Sequence, residues 1–356
     1  MIFKYKENWE KAKERYDAFW NKDYIDRCCL AIRIRKEENR EPLILPRSDY
    51  TYEEHRTNLD YVFMCYENYV KNTIHLADSI PAVFPGFGVA AHSCYFGSVL
   101  NYDPNTIWFE PVIHEPDINK LVYSDEFLNI HKKFTSELSK RADGLFFVAN
   151  NDHCGIIDAL VNLRGNAELL MDLKDNPEFV TAARIKITEA WKKAQKELYD
   201  ITKKVNDGGS AHNWMQTWAR GNHGQLQCDF SVMISPEHYE KFVLPEIYDC
   251  TDFYDNSIYH LDGQEQIRHL DMLLSVKKLD VIQWTPVVGQ PPTTDFIEVL
   301  KKIQKADKGL VLMPAAAEVP FLLKNLSHKS LMIIVSDVKD VDEANDLIKL
   351  AEENAN

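Results

Sequence analysis

A single (β/α)8 barrel is the fold class the sequence predicts, and three observations predict it. Past residue 142, strand-like and helix-like stretches alternate to the end at a spacing of roughly 25 to 40 residues. No Gly-rich dinucleotide fingerprint accompanies them, which argues against a doubly wound sheet. No internal boundary, repeat or low-complexity stretch divides the 356 residues, of which 45% are hydrophobic, enough to bury one large core.

The elements follow in order. Over residues 8–20, Trp9, Ala12, Tyr16, Phe19 and Trp20 recur at helical spacing and predict an amphipathic helix packed on the barrel. "CLAIRIRK" alternates Leu30, Ile32 and Ile34 with Ala31, Arg33 and Arg35, so the two arginines share one side, as a solvated strand face or as an anion clamp. Residues 37–60 read as a polar excursion, and a helix is expected over 59–77. The Pro- and Gly-punctuated stretch 78–97 has the composition of a strand end and a binding loop, and 106–113 that of a surface ribbon. After a helix at 124–142, strands are expected at 145–151, 209–215, 226–232, 256–262, 279–285, 309–315 and 330–336. Stretch 154–165 fits strand or helix. Asn176 before Pro177 and Ser235 before Pro236 mark helix starts, the first helix running to about residue 201, and helices at 295–305 and 341–352 close the chain.

Charge and cysteines narrow the function. A net charge of −14, from 41 basic and 55 acidic residues, with no long Lys/Arg run, argues against a nucleic-acid surface. No apolar run approaches the roughly twenty residues of a membrane span. Seven cysteines without a CxxC pair, and a start lacking a signal peptide's apolar core, predict reduced thiols and a cytoplasmic protein. No Ser-His-Asp elbow, P-loop or zinc-protease motif is present.

The densest chemistry lies in "SIYHLDGQEQIRHLDMLL". His260 and Asp262 alternate with Leu261 on one side of a strand, Gly263 marks the turn, and Ile267, Leu270, Leu273 and Leu274 begin a helix. In βα repeats that strand end is the ligand-binding rim. The pair serves as a base with its partner or as two metal ligands, with Cys228, Asp229, Glu318 and Asp337 as further ligand candidates; otherwise His260 hydrogen-bonds a neighbour and Asp262 caps the helix. "NNDHC" offers Asn150 and Asn151 for substrate, Asp152 and His153 as an acid/base pair once a turn brings them together, and Cys154 as a lesser nucleophile. Arg33, Arg35, Asn213, Trp214, Gln283 and Trp284 complete the expected mouth, the tryptophans, with Trp218, as aromatic walls or as core.

The runs "DSIPAVFPGFGVAAHSCYFGSVLNY", "WFEPV", "YHLDGQEQIRHLDMLL", "LDVIQW" and "SLMIIVSDVKDVDEANDLIKL" resemble the uroporphyrinogen decarboxylase superfamily, from Asp26 onward. The resemblance implies a TIM barrel and either cofactor-free decarboxylation or methyl transfer to a corrinoid protein or a thiol. Against the decarboxylases, Arg33 matches the first arginine, Gly86 stands where an aspartate is expected, Val161 near the tyrosine, and "VSD" replaces the late histidine segment. Against the methyltransferases, His260 matches a zinc-binding histidine, Asp262 stands at the cysteine position, and Ser336 and Asp337 lie near the second cysteine. The expectation is therefore a corrinoid-dependent methyltransferase that demethylates a small O- or N-methylated substrate. Zinc or another divalent metal on His260, Asp262 and Glu318 is expected with it. A decarboxylase of a small or tetrapyrrole carboxylate, needing no bound cofactor, and a non-catalytic ligand-binding barrel are the alternatives. The expected partners are the small-molecule substrate and the corrinoid protein, with a homodimer left open.

Overall fold

The computed structural model describes residues 2–36, 49–151 and 153–355. Thirteen strands occur among them: β1 (Cys29–Arg35), β2 (Thr73–Ala77), β3 (Ala82–Val83), β4 (Val99–Tyr102), β5 (Ile107–Glu110), β6 (Phe147–Val148), β7 (Ser210–Ala211), β8 (Trp218–Ala219), β9 (His223–Leu226), β10 (Asn256–Asp262), β11 (Val281–Thr285), β12 (Gly309–Leu312) and β13 (Leu331–Val335). Seven form a central sheet in the order β2-β1-β13-β12-β11-β10-β9, parallel throughout except where β2 runs against β1. The fold is thus mixed α/β around a mostly parallel sheet. Closure is not recorded in the ladders: β3 pairs with β6 and β7 with β8, and among the described residues no ladder joins these pairs to the central sheet.

Alternation along the strands sorts the core into two layers. Leu30, Ile32, Leu261, Ile282, Trp284, Leu312 and Ile333 pack against the helices. Cys29, Ala31, Ile258, Val281, Val311, Met332 and Ile334 face the other way and share one apolar cluster with Ala82, Phe147 and Ala211. Trp9, Tyr16 and Phe19 of the helix Trp9–Trp20 belong to this second cluster. Trp9 meets Phe147 and Trp218 edge-on at 4.8 and 5.1 Å, so the first helix closes the end of the sheet where its parallel strands begin.

That closure is pinned by one buried carboxylate. Asp78, fully buried, accepts from Arg27 at 2.6 Å, from Arg15 at 3.1 Å and from the Leu30 backbone N–H at 2.9 Å. Arg15 comes from the first helix, Arg27 and Leu30 from β1 and its approach, and Asp78 from the end of β2.

Of the expected elements, the strand at 209–215 shortens to Ser210–Ala211, and others change further. The helix expected over 59–77 stops at Lys71, because Thr73–Ala77 pairs with β1 as β2. The strand expected at 226–232 ends at Leu226: Asp158 draws the backbone N–H groups of Asp229 and Phe230 to 3.0 and 2.9 Å, and residues Asp229–Met233 turn instead. Stretch 154–165 is the helix Ile156–Arg164. Ser235 caps its helix through the His238 N–H, whereas Asn176 makes no side-chain cap. Residues 37–48 of the polar excursion lie outside the described residues. Among the described residues, no helix is long and apolar enough to cross a membrane.

Replacing Asp78 by Ala leaves the buried Arg27 guanidinium without its counter-charge, while Arg15 keeps its pair with Asp26. The expected loss is about 3–5 kcal/mol of unfolding free energy, read from the urea midpoint at unchanged slope.

Candidate active site

The inner face turns from apolar to polar along β1, β10 and β11. Ile258 is followed two residues on by His260 and then Asp262, Val281 by Gln283 and Thr285, and Ala31 by Arg33 and Arg35. The closed end is therefore oily and the opposite end, where the parallel strands finish, carries the chemistry.

His260 and Gln283 are register partners on β10 and β11, as are Asp262 and Thr285. Gln283, fully buried, donates its amide to the Thr285 hydroxyl, which turns its Oε1 toward His260 Nδ1. His260 thus carries its proton on Nδ1, and Nε2 holds no hydrogen bond from the described residues. The Trp214 ring stands edge-on to His260 with centroids 5.2 Å apart. Asp262 is half-buried, and its backbone N–H reaches Gln266 at 3.4 Å.

A second polar row flanks Trp214. His212 lies 5.2 Å from the same ring, accepts the Met215 N–H at Nδ1 and donates from Nε2 to Gln225 at 2.9 Å. Gln225 continues to Gln227, and Gln227 to Asp229 at 3.1 Å. Of this row only Asp229 was named from the sequence, although "HGQLQ" carries the period-two signal: His223, Gln225 and Gln227 alternate with Gly224 and Leu226.

Arg33, half-buried, donates to Ser336 at 2.9 Å. His75 stands opposite it across β1 and β2. Arg33 Nε and His75 Nε2 are both buried and lack a hydrogen-bond partner among the described residues, a complementary donor and acceptor on neighbouring side chains. Arg35 is exposed.

Other expected site residues are placed elsewhere. Trp284 is fully buried against Phe296, centroids 4.8 Å apart, because alternation puts it on the helix side when Gln283 faces inward. Asn150 bonds Gln195 and Thr202 of the helix Pro177–Thr202, and His153 bonds Tyr254 and packs on Trp191, so both serve the helix layer. Asn151 clamps the loop after β3 through the Phe87 N–H and Gly88 carbonyl, and Asn213 holds the Ala82 carbonyl. Trp218 is core, and Cys154 and Cys228 are buried. Asp152 lies outside the described residues.

The metal set does not assemble. Glu318 accepts backbone N–H groups from Thr294 and Ala315, both at 3.0 Å, and Asp337 accepts that of Ala316. These carboxylates cap turns, and among the described residues no group of three His, Cys, Asp or Glu side chains is placed to hold a metal ion. Among the described residues, His260 and Asp262 gain no third His, Cys, Asp or Glu that zinc would require.

A cleft of about 370 Å3 opens at the polar end, between Val89, Trp108, Phe109, Phe230 and Met233, and reaches Asp229, the last member of the second row. Trp108 is 64% exposed there, so an aromatic edge faces solvent beside the polar rows.

No protein family matches the sequence, and no curated protein is similar to it. In structure the chain is similar to a methyltransferase from Methanosarcina mazei, at 9% sequence identity and a TM-score of 0.59, covering 96% of this chain and 98% of that one. At that identity the likeness concerns the fold alone.

Burial holds several histidines neutral: His75, His92, His131 and His223 are pushed down to about 3 and His212 to about 4. Unfolded, they protonate near 6.5, so below that pH the unfolded chain binds more protons than the folded one. Stability present above about pH 6.5 is expected to be lost progressively as the pH falls toward 4 and 3. The denaturant midpoint, followed from pH 7.5 downward, checks this.

Proposed function

We propose that the chain is a methyltransferase that demethylates a small O- or N-methylated substrate at the mouth of a single-domain (β/α)8 barrel. The observation that carries it is His260: an imidazole held through Nδ1 by Gln283, its Nε2 unengaged, beside Trp214 on the polar side of an apolar floor. Support for the barrel comes from the inner apolar cluster, in which Ala82 of β3, Phe147 of β6 and Ala211 of β7 join residues of β1 and β10 to β13. These short strands then occupy the arc between β9 and the start of β1, which the β2 ladder does not cover. Support for the class comes from the fold likeness.

In this reading a methyl group leaves an oxygen or nitrogen, and the departing atom takes up a proton. His260, protonated at Nε2, delivers it while Gln283 keeps the ring in place; Asp262 orients the substrate's polar group. Trp214 offers its ring to the methyl group or to a methylammonium. Arg33, with Ser336 and His75 beside it, holds an anionic part. The methyl acceptor is a corrinoid carried by a partner protein that docks over the rim near Trp108. No step runs through a bound metal, since the donor set does not fit one.

A second reading is favoured by Arg33, whose Nε lacks a partner: a decarboxylase that seats a substrate carboxylate there.

Incubation with cob(I)alamin and a panel of methyl ethers and methylamines is expected to form methylcobalamin. Carbon dioxide release from a carboxylate, with no methyl transfer across the panel, would favour the lyase. Asp262→Asn and His260→Gln are each expected to lower turnover about 100-fold with little change in the thermal midpoint. Full activity in the double variant would make the pair scaffold.

A further inference from the structure

The central sheet ends on β2, and among the described residues no strand pairs with the outer edge of that strand. The bonds Lys36 N–H to Asn72 and Asp78 N–H to Leu30, at 3.0 and 2.8 Å, fix the phase of the antiparallel ladder. In that phase Ile74 and Leu76 exchange hydrogen bonds with β1, and Thr73, His75 and Ala77 turn their backbone groups outward. The Ala77 carbonyl is already taken, by Lys6 at 2.7 Å and Asn8 at 2.9 Å. The outward N–H and C=O groups of Thr73 and His75 make no backbone bond among the described residues.

A cleft of about 410 Å3 runs along this edge, between β2 and residues 4–8. Three exposed lysines frame it, Lys4, Lys36 and Lys71, and a fourth, Lys6, is buried in its wall. Lys36 and Lys71 stand at the Thr73 end, joined by the bond from Lys36 Nζ to the Lys71 carbonyl at 2.9 Å. Lys4 and Lys6 stand at the Ala77 end, and Glu7 is the one carboxylate in the lining. On a chain of net charge −14 this is a local reversal of sign.

Lysines also guard edge strands against unwanted pairing, but guards sit on the strand itself, with prolines or bulges. β2 reads Thr-Ile-His-Leu-Ala, with no lysine, proline or bulge. Its cations come from flanking segments and stand at the two ends of the cleft, leaving the edge between them accessible. We propose that this cleft receives an extended acidic segment of a partner protein, which adds to β2 as a further strand and places its carboxylates against the lysines. Backbone hydrogen bonds to Thr73 and His75 supply the docking, and the lysines supply the choice of sign. The inference shares with the reaction proposed above only His75, here through its backbone, and none of the framing lysines belongs to the polar rows.

The test is fluorescence anisotropy of the full chain with a short labelled peptide that alternates glutamate and valine. Saturable binding is expected, weakened by salt, and weakened about tenfold by the double variant Lys4→Glu and Lys71→Glu. Both lysines are exposed, so the fold is expected to survive, as circular dichroism checks. A lysine–valine peptide of the same length is expected not to bind, and N-methylation of the acidic peptide's backbone is expected to abolish binding. No saturable binding, equal binding by the N-methylated peptide, or equal competition by inorganic phosphate at matched ionic strength would each overturn strand addition.

Discussion

The fully buried carboxylate of Asp78 is the constraint on which the rest of the molecule hangs. Two guanidiniums and a backbone amide converge on it from the first helix, from the approach to β1 and from β1 itself. A buried charge is tolerated only when its partners are fixed in place, so satisfying Asp78 also fixes the angle at which the first helix meets the sheet. Tyr16 adds to the same knot, its hydroxyl 2.5 Å from the Asp78 carbonyl and 2.6 Å from that of Gln216. Gln216 in turn holds Ser79 and Ile80, so the loop that carries His212 and Trp214 is referenced to the same point. The floor and the aromatic centre of the candidate site are one mechanical unit.

Much of this was legible in the residues. The period-two pattern of "IYHLD" placed β10 at its observed bounds and put His260 and Asp262 on one face. The helical stripe of the first helix announced a packing face, and Trp9, Tyr16 and Phe19 are the residues that pack. What failed, failed where a distant group overrides local pattern. Nothing near residue 73 says that β1 will claim Thr73–Ala77, and nothing near residue 229 says that Asp158, 71 residues earlier, will capture its backbone N–H. Strand ends nominated Asn150, His153 and Trp284 because a rim residue and a helix-facing residue look alike until the phase of the strand is known. Glu318 and Asp337 were read as ligands, yet each spends its oxygens on backbone N–H groups, the ordinary employment of an acid before a helix.

The polar end is organised by amides more than by charges. Gln283, Gln225 and Gln227 each present one donor and one acceptor in a fixed order, so they set the tautomers of His260 and His212 without adding net charge. The two imidazoles are thereby made unequal. His212 has both nitrogens engaged, by Met215 and Gln225, while His260 keeps Nε2 in reserve. With Trp214 between them, His212 stands as a fixed wall and His260 is the imidazole left with a nitrogen to spare.

The plugged floor also fixes a traffic rule. Trp9, Phe147 and Trp218 fill the end where the strands begin, so whatever settles beside His260 comes and goes on the side where the strands finish. In the closed barrel proposed above, such a chamber with one door would serve its visitors in sequence: the second reactant of the proposed methyl transfer would meet the first only while the first still sits between it and the floor. Steady-state rates for such a chamber obey an ordered scheme, with the deeper molecule first in and last out, and inhibitors that lodge in the doorway trap the occupant as well as excluding the newcomer.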